Sequence, residues 1–427
     1  MEKIFLKNYK GFKHEVISLE QINFLVGENS TGKTSFLKII NLLSSSEFWY
    51  DYEFNNNEVE LGYFEEIINK QTVDNFFQLG IERKNNRNSE PNENEKYRVL
   101  FEFHELNSVP VLKFIKVNIA ERDVLVKFTK KQISYRIKER NISSYEDWVN
   151  DFNFPKTFKV LPSHFAKNNL PVYILTHLIE SELIKSNDIS KQGPFFGNEL
   201  LYSNYKWLAP IRAKAKRTYE SYKIKFSPEG EHIPSILRQI LSGKSNREKT
   251  KIISALEKFG KDSNLFDKIE VRELGKKNSS PFEIIIKYEN IEVKLPNVGY
   301  GVSQSLPLII EILSSKNTCF SIQQPEVHLH PKAQSAFGSF LYNAAKIDGN
   351  KFIIETHSDF TINRLRNKLN SSKKQVEFES KVLFFERTKE GNKITNIELN
   401  KDGTYAKKVP ASYRDFFIDE ELKLLEL

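Results

Sequence analysis

The 427-residue sequence predicts an α/β protein, a largely parallel sheet interrupted by a long insertion. Three observations carry this. Residues 24 to 40, FLVGENSTGKTSFLKII, pass from an apolar run through a glycine loop into residues with helical apolar spacing. From Phe282 onward, short apolar runs alternate with amphipathic ones. Between Tyr97 and Lys138, four β-branched and aromatic runs separated by polar turns read as an antiparallel meander.

Along the chain, KIFLKN (3 to 8) and QINFLV (21 to 26) read as strands, the second entering the glycine loop, and SFLKIINLL as the helix after it. Between about 50 and 96, NNNE and RKNNRNSEPNENEKY mark surface loops. The meander runs are YRVLFEFHE, VLKFIKVNI, DVLVKFTK and QISYRIK. HLIESELIK, IPSILRQIL and residues 247 to 260 make the middle of the chain mainly helical. The closing series is strands FEIIIKYE and IEVKL, helix SLPLIIEIL, strand CFSI, helix PKAQSAFGSFLYNAAK, strand KFIIET, helix SDFTINRLRN and strand KVLFFER. A lone strand-loop-helix at the N-terminus needs further parallel strands to bury it. Residues 1–48 and 282–427 are therefore expected to form one domain, with 49–144 a loop and antiparallel β insertion and 145–281 a mainly helical one.

Composition bounds the function. With 39% hydrophobic and 28% charged residues the chain is of the globular class, long enough for one large core or two modest ones. No run of about 18 apolar residues occurs, and MEKIFLKNYKGF lacks the order of a signal peptide, so the cytoplasm is the expected location and no membrane partner is expected. The single cysteine, Cys319 in TCFSI, excludes an intramolecular disulfide and cysteine-based metal sites, and reads as a buried strand thiol. A net charge of +8 favours acidic partners, nucleic acid included. The densest basic run, RAKAKR (212 to 217), is either a phosphate-contacting patch or a solvated loop.

Gly27-Glu28-Asn29-Ser30-Thr31-Gly32-Lys33-Thr34 satisfies G-x-x-x-x-G-K-[ST], and Ser35 continues the stretch. The glycines let the backbone turn its amides inward. Lys33 reaches the terminal phosphates, and Thr34 offers its hydroxyl to magnesium at the positive end of the helix. The expected cofactors are ATP and Mg2+.

The chain resembles the ABC-type P-loop ATPase heads shared by ABC transporters, SMC proteins, RecF and the OLD proteins. It is especially similar to the compact ATPases of bacterial anti-phage systems, Septu PtuA and its retron-associated relatives. VGENSTGKTS, WLAPIRAKAKRTY, SPEGEHIPSIL, VGYGVSQSLPLI, IQQPEVHLHP and IIETHS carry the resemblance. It implies that Gly301, Ser303 and Gln304 form a signature segment whose helix start binds an anion, giving a head-to-tail dimer, or a higher oligomer, with ATP between heads. Read alone, the same residues are an ordinary capped helix. It also implies that His357 senses the terminal phosphate, where a lone histidine would be structural. His328 and His330 with Glu326 could suggest a metal, since i, i+2 spacing in a strand places two imidazoles on one face. The resemblance instead makes this segment the loop along the dimer interface.

In most such relatives the end of the strand that corresponds to CFSI carries an acid that positions magnesium through water, followed by a glutamate that polarises the attacking water. Gln323 and Gln324 stand there. An amide oxygen still accepts from metal-bound water but is no general base near neutral pH. Slow or absent hydrolysis is expected, with Glu326 the nearby carboxylate that could substitute. The resemblance further implies a regulatory ATPase subunit in an anti-phage complex, controlling a separate nuclease or toxin, of HNH type in Septu-like systems. The sequence shows neither a cysteine pair for a zinc-bound HNH fold nor a TOPRIM-like acidic segment. A RecF-like DNA-repair ATPase is the alternative, with DNA as partner. A transporter ATPase is disfavoured by the long insertion and by Gln-Gln-Pro-Glu.

Overall fold

The computed structural model describes residues 2–56, 58–84, 96–119, 122–139, 142, 144–167, 171–178, 201–220, 225–242, 246–277, 279–372, 378–406 and 409–417. The chain opens with strands β1 (Glu2–Tyr9), β2 (Phe12–Leu19) and β3 (Ile22–Gly27), then helices α1 (Lys33–Ser44) and α2 (Ser46–Asp51). Two units emerge from the packing. One contains residues 1–19, 29–203 and 385–395, the other 20–28, 204–384 and 396–427.

In the first unit, β5 (Lys96–Leu106), β6 (Val109–Ile119), β7 (Arg122–Phe128) and β8 (Ile133–Glu139) form the expected meander, antiparallel neighbour by neighbour, and β4 (Phe76–Lys84), inside the stretch read as surface loops, is instead a fifth strand pairing with β5 and burying Phe77, Leu79 and Ile81. The short β9 (Lys159–Val160) extends one edge and the β1–β2 hairpin the other, in the order β2-β1-β4-β5-β6-β7-β8-β9. The strand KIFLKN thus belongs to this antiparallel sheet and not to a parallel one. Its pairing with β2 is local, since only Lys10 and Gly11 separate the paired Tyr9 and Phe12 and so short a connection permits antiparallel pairing alone, whereas its pairing with β4 joins distant residues. Phe101 and Phe103, two apart on β5 and so on one face, pack against Phe48 of α2 and Phe54, with ring centroids 4.9 to 6.2 Å apart. Burying each such ring stabilises the sheet by about 1.5–3 kcal/mol. Short helices α3 (Phe64–Ile67), α4 (Tyr145–Asn150), α5 (His164–Lys167) and α6 (Pro171–Leu178) complete the unit. Of HLIESELIK, residues 179–185 lie outside the described residues, as do 85–95 of the polar loop.

The second unit contains β10 (Tyr205–Leu208), α7 (Ile233–Leu241), α8 (Arg247–Ser263), β11 (Lys268–Glu273), β12 (Phe282–Tyr288), β13 (Ile291–Lys294), α9 (Tyr300–Leu313), β14 (Cys319–Gln323), α10 (Pro331–Asp348), β15 (Lys351–Glu355) and α11 (Asp359–Ser371). β10, β14, β15 and β3 pair in parallel in that order, and the sheet continues with β16 (Ser380–Thr388) and β17 (Gly391–Leu399). β14, β15 and β3 are buried almost throughout, because helices must cover both faces of a parallel sheet. The register partners Phe320 and Phe352 stack at 5.7 Å inside that core, and Cys319 is a buried free thiol as its run implies. Two runs expected to begin the alternating series do otherwise. FEIIIKYE and IEVKL are β12 and β13, a hairpin turning at Glu289 (φ 43°) and Asn290, and with β11 they make a separate three-stranded antiparallel sheet. Again the short connection decides. Conversely YKWL, not read as a strand, is the parallel edge strand β10.

Candidate nucleotide site

The phosphate loop has the backbone its sequence requires. β3 ends at Gly27 with φ 145°, Ser30 sits at φ 63° and Gly32 at φ 98°. Gly32 is the N-cap of α1; no side chain caps the helix and its first turn holds no acid, so its positive dipole end favours an anion. Around the loop, the Arg387 guanidinium donates to Ser30 O (3.2 Å) and the Tyr9 hydroxyl donates to Ser35 O (3.1 Å). A Cβ at Gly32 would lie 2.6 Å from the Phe12 ring. Thr31 and Lys33 are buried, whereas Glu28, Asn29, Ser30 and Thr34 are exposed.

In the second unit the carboxyl ends of β3, β14 and β15 lie side by side. Gln323 pairs with Glu355, and Glu355 with Leu25, two residues before Gly27. Gln323 Nε2 donates to Glu355 Oε2 at 3.3 Å, both residues being buried. The chain then turns at Gln324, a non-glycine residue at φ 43°, whose amide donates to Glu355 O at 2.8 Å. Two residues on, Glu326 Oε1 accepts from the His357 amide (2.7 Å) and Oε2 from the Thr356 hydroxyl (2.9 Å). Burial pushes the Glu326 carboxyl above its ordinary range, opposed by these two donors. His357 lies two residues beyond the end of β15, its ring 6.0 Å from that of Phe416, and Ser358 caps α11 by accepting from the Thr361 amide at 3.1 Å. Gln323, Gln324, Glu326 and His357 therefore meet at one edge, the edge where open α/β sheets gather ligands.

Gly301, Ser303 and Gln304 lie inside α9, which begins at Tyr300, five residues before the expected start, with Gly299 as N-cap and no capping side chain. Ser303 Oγ donates to Tyr300 O at 3.3 Å. Gln304 Oε1 accepts from the Arg212 amide at 3.0 Å, which commits its side chain to this unit. The basic run divides accordingly: Arg212 is buried, while Lys214, Lys216 and Arg217 are exposed. Burial pushes the Arg212 guanidinium down to about 10, and Glu326 opposes that shift. Gln304 thus meets the Arg212 backbone, Glu326 acts on the Arg212 guanidinium through its charge, and Glu326 itself is bonded to Thr356 and His357. Nearby, SPEGEH has a structural task. His232 Nδ1 accepts from the Ser227 amide (3.2 Å), so its proton lies on Nε2 and donates to Glu311 of α9 at 2.6 Å.

Two groups that sequence reasoning did not assign are Glu355 and the buried Arg212. Both stand in quoted motifs, but strand register marks Glu355 and burial marks Arg212, and no local pattern supplies either. The strand argument for a His328 and His330 metal pair does not hold: His328 is in a turn at φ 67° and His330 caps α10, accepting from the Ala333 amide. Among the described residues, no cluster of three or more His, Cys, Asp or Glu side chains is arranged to hold a metal. For magnesium beside a phosphate the chemistry at the ends of β14 and β15 does fit, since the Gln323 amide oxygen and the Glu355 carboxylate are both hard oxygen donors.

A loop of this sequence and conformation between a buried parallel strand and an uncapped helix defines a P-loop nucleotide-binding protein. The model of the AAA ATPase domain family matches residues 1–362, and the chain belongs to that family. No curated protein matches by sequence. Among solved structures the chain is similar to an Smc head bound to the C-winged helix domain of ScpA, at 12% identity over 93% of this chain and 98% of that one, TM-score 0.46. It is also similar to the SMC head domain from Thermotoga maritima (12% identity, 93% and 98% covered, TM-score 0.40). A third is an Smc head with an extended coiled coil, bound to the C-terminal domain of ScpA derived from Pyrococcus furiosus (11% identity, 100% and 99% covered, TM-score 0.43). Among the described residues no helix is long and apolar enough to cross a membrane.

Proposed function

We propose that this ATPase works as a slowly hydrolysing, ATP-gated switch whose bound nucleotide holds two heads together and sets the activity of a separate effector. The observation that carries the reading is the pair Gln323 and Gln324 at the end of β14, beside the strand pair that leads into the phosphate loop. The loop from Gly27 to Ser35 holds the phosphates through its amides and Lys33, and Thr34 and Gln323 take the magnesium. Magnesium, when bound, neutralises phosphate charge and orients the terminal phosphate. Gln324 can hold the attacking water in place but cannot remove its proton, and general-base assistance is worth about 10²- to 10⁴-fold. Glu326 keeps both oxygens on the exit of β15, so its task is to position His357. The start of α9, with Gly301 and Ser303, contacts the nucleotide of a second copy.

The resemblance of WLAPIRAKAKRTY, IQQPEVHLHP and IIETHS to anti-phage ATPases supports a nuclease or toxin as the effector. Turnover by wild type and Lys33→Ala, with light scattering in the presence and absence of ATP, tests the switch. Turnover below about one per second and an ATP-dependent dimer lost in Lys33→Ala are expected; fast turnover, or a mass indifferent to ATP, overturns it. Copurification of a stoichiometric nuclease supports the effector role. Salt-dependent DNA binding by the protein alone supports the DNA-repair alternative instead.

A further inference from the structure

We propose that Glu355 supplies the metal-side carboxylate that β14 lacks, so that the acid of this site has moved one strand over. The inference rests on the nucleotide-binding reading above and concerns how that site takes its metal.

The end of β14 is neutral at both Gln323 and Gln324, and a magnesium site built on these alone has no protein charge on that strand. Glu355 is the register partner of Gln323 on the adjacent parallel strand, so both side chains leave the sheet on the same face at the same height. The contact between them is direct, Nε2 to Oε2 at 3.3 Å. It spends the Gln323 amide nitrogen, which leaves the amide oxygen as the atom that accepts from metal-bound water. Glu355 is also the register partner of Leu25 on β3, placing its carboxylate on the strand between β14 and the one that runs into Gly27. The other carboxylate at this edge is committed elsewhere, because Glu326 accepts from Thr356 with one oxygen and from His357 with the other. Gln323 and Glu355 together present what an acid at position 323 would present alone: one negative charge and a hard oxygen aimed at the metal's water shell.

Nucleotide affinity with and without Mg2+, measured by calorimetry, and Mn2+ binding followed by electron paramagnetic resonance test this on the full chain. The variants are Glu355→Gln and the swap Gln323→Glu with Glu355→Gln, which moves the carboxylate back to β14. In wild type, Mg2+ is expected to tighten ATP binding by about tenfold or more, roughly 1.4 kcal/mol. In Glu355→Gln that gain and the nucleotide-dependent Mn2+ signal are lost. The swap restores both. A Glu355→Gln protein that keeps the Mg2+ gain overturns the inference and leaves nucleotide binding standing, as does a wild type that binds ATP with no gain from Mg2+. A wild type that binds no nucleotide overturns both readings. Should Glu355→Gln fail to fold, Glu355→Asp is read in its place: the shorter carboxylate is expected to cut the gain severalfold, and an unchanged gain overturns the inference.

Discussion

Glu326 and His357, 31 residues apart in sequence, are joined by a 2.7 Å hydrogen bond from the His357 amide to Glu326 Oε1. The same carboxylate takes the Thr356 hydroxyl at 2.9 Å. It ties the turn after β14 to the exit of β15, which fixes where the His357 side chain starts.

This arrangement separates two roles for Glu326. If it positions, Glu326→Ala strands a buried hydroxyl and an amide and lowers unfolding free energy by about 2–3 kcal/mol, with Glu326→Gln costing about 1 kcal/mol. Urea denaturation of the nucleotide-free protein measures this. Unchanged stability in Glu326→Ala, together with abolished turnover, would instead make it the general base.

Gln324 offers the converse experiment. Gln324→Glu places a carboxylate where the resemblance puts the water-polarising acid, and turnover is expected to rise by about 10²-fold. A rate within about twofold of wild type, with nucleotide affinity intact, would mean that residue 324 does not face the reacting water.

Lys33→Ala and Thr34→Ala remove groups that act on phosphate and on magnesium. A charge-assisted hydrogen bond contributes about 1.5–3 kcal/mol, so Lys33→Ala should weaken ATP binding roughly 10- to 100-fold. Thr34→Ala is expected to act through the Mg2+-dependent part of the affinity. Titration calorimetry with and without the metal distinguishes the two.

Gly32→Ala tests the loop backbone. At φ 98° an L-residue is strained by about 1–3 kcal/mol, and its Cβ would press on the Phe12 ring at 2.6 Å. A melting temperature several degrees below wild type is expected; an unchanged one would mean the loop relaxes at no cost.

Burial on β2 pushes the Glu15 carboxyl up to about 7 from its ordinary 4.5, partly offset by the Ile394 backbone and Lys393. The folded state therefore holds this proton more tightly than the unfolded chain. Its contribution is complete below about pH 4.5 and is lost as pH rises through about 7. Because the side chain is partly solvated, the loss is discounted to about 1–2 kcal/mol. Glu15→Gln should raise the melting temperature at pH 8, and the gain should vanish by pH 4.

Much of the chemistry was legible in sequence because it is local. GENSTGKT fixes its own turn, and the consecutive glutamines of QQPE state the lack of acids at the strand end. The meander was equally readable, since each of its strands pairs with the next. Wherever a pairing depends on distant residues, the reading stopped short. Nothing in KIFLKN says that β1 joins the meander, and YKWL is too short to declare itself a parallel edge strand.

By itself, then, the sequence determined a phosphate-binding loop, an antiparallel meander, an alternating α/β region and a strand end without acids. The tertiary structure alone decided that Glu355 stands against Gln323, that Glu326 clamps Thr356 and His357, and that Arg212 lies buried with its amide on Gln304. The physical reason is that a parallel sheet aligns the ends of strands far apart in the chain. Its register sets which carboxylate meets which amide, and register is a property of the packed sheet, not of any one segment.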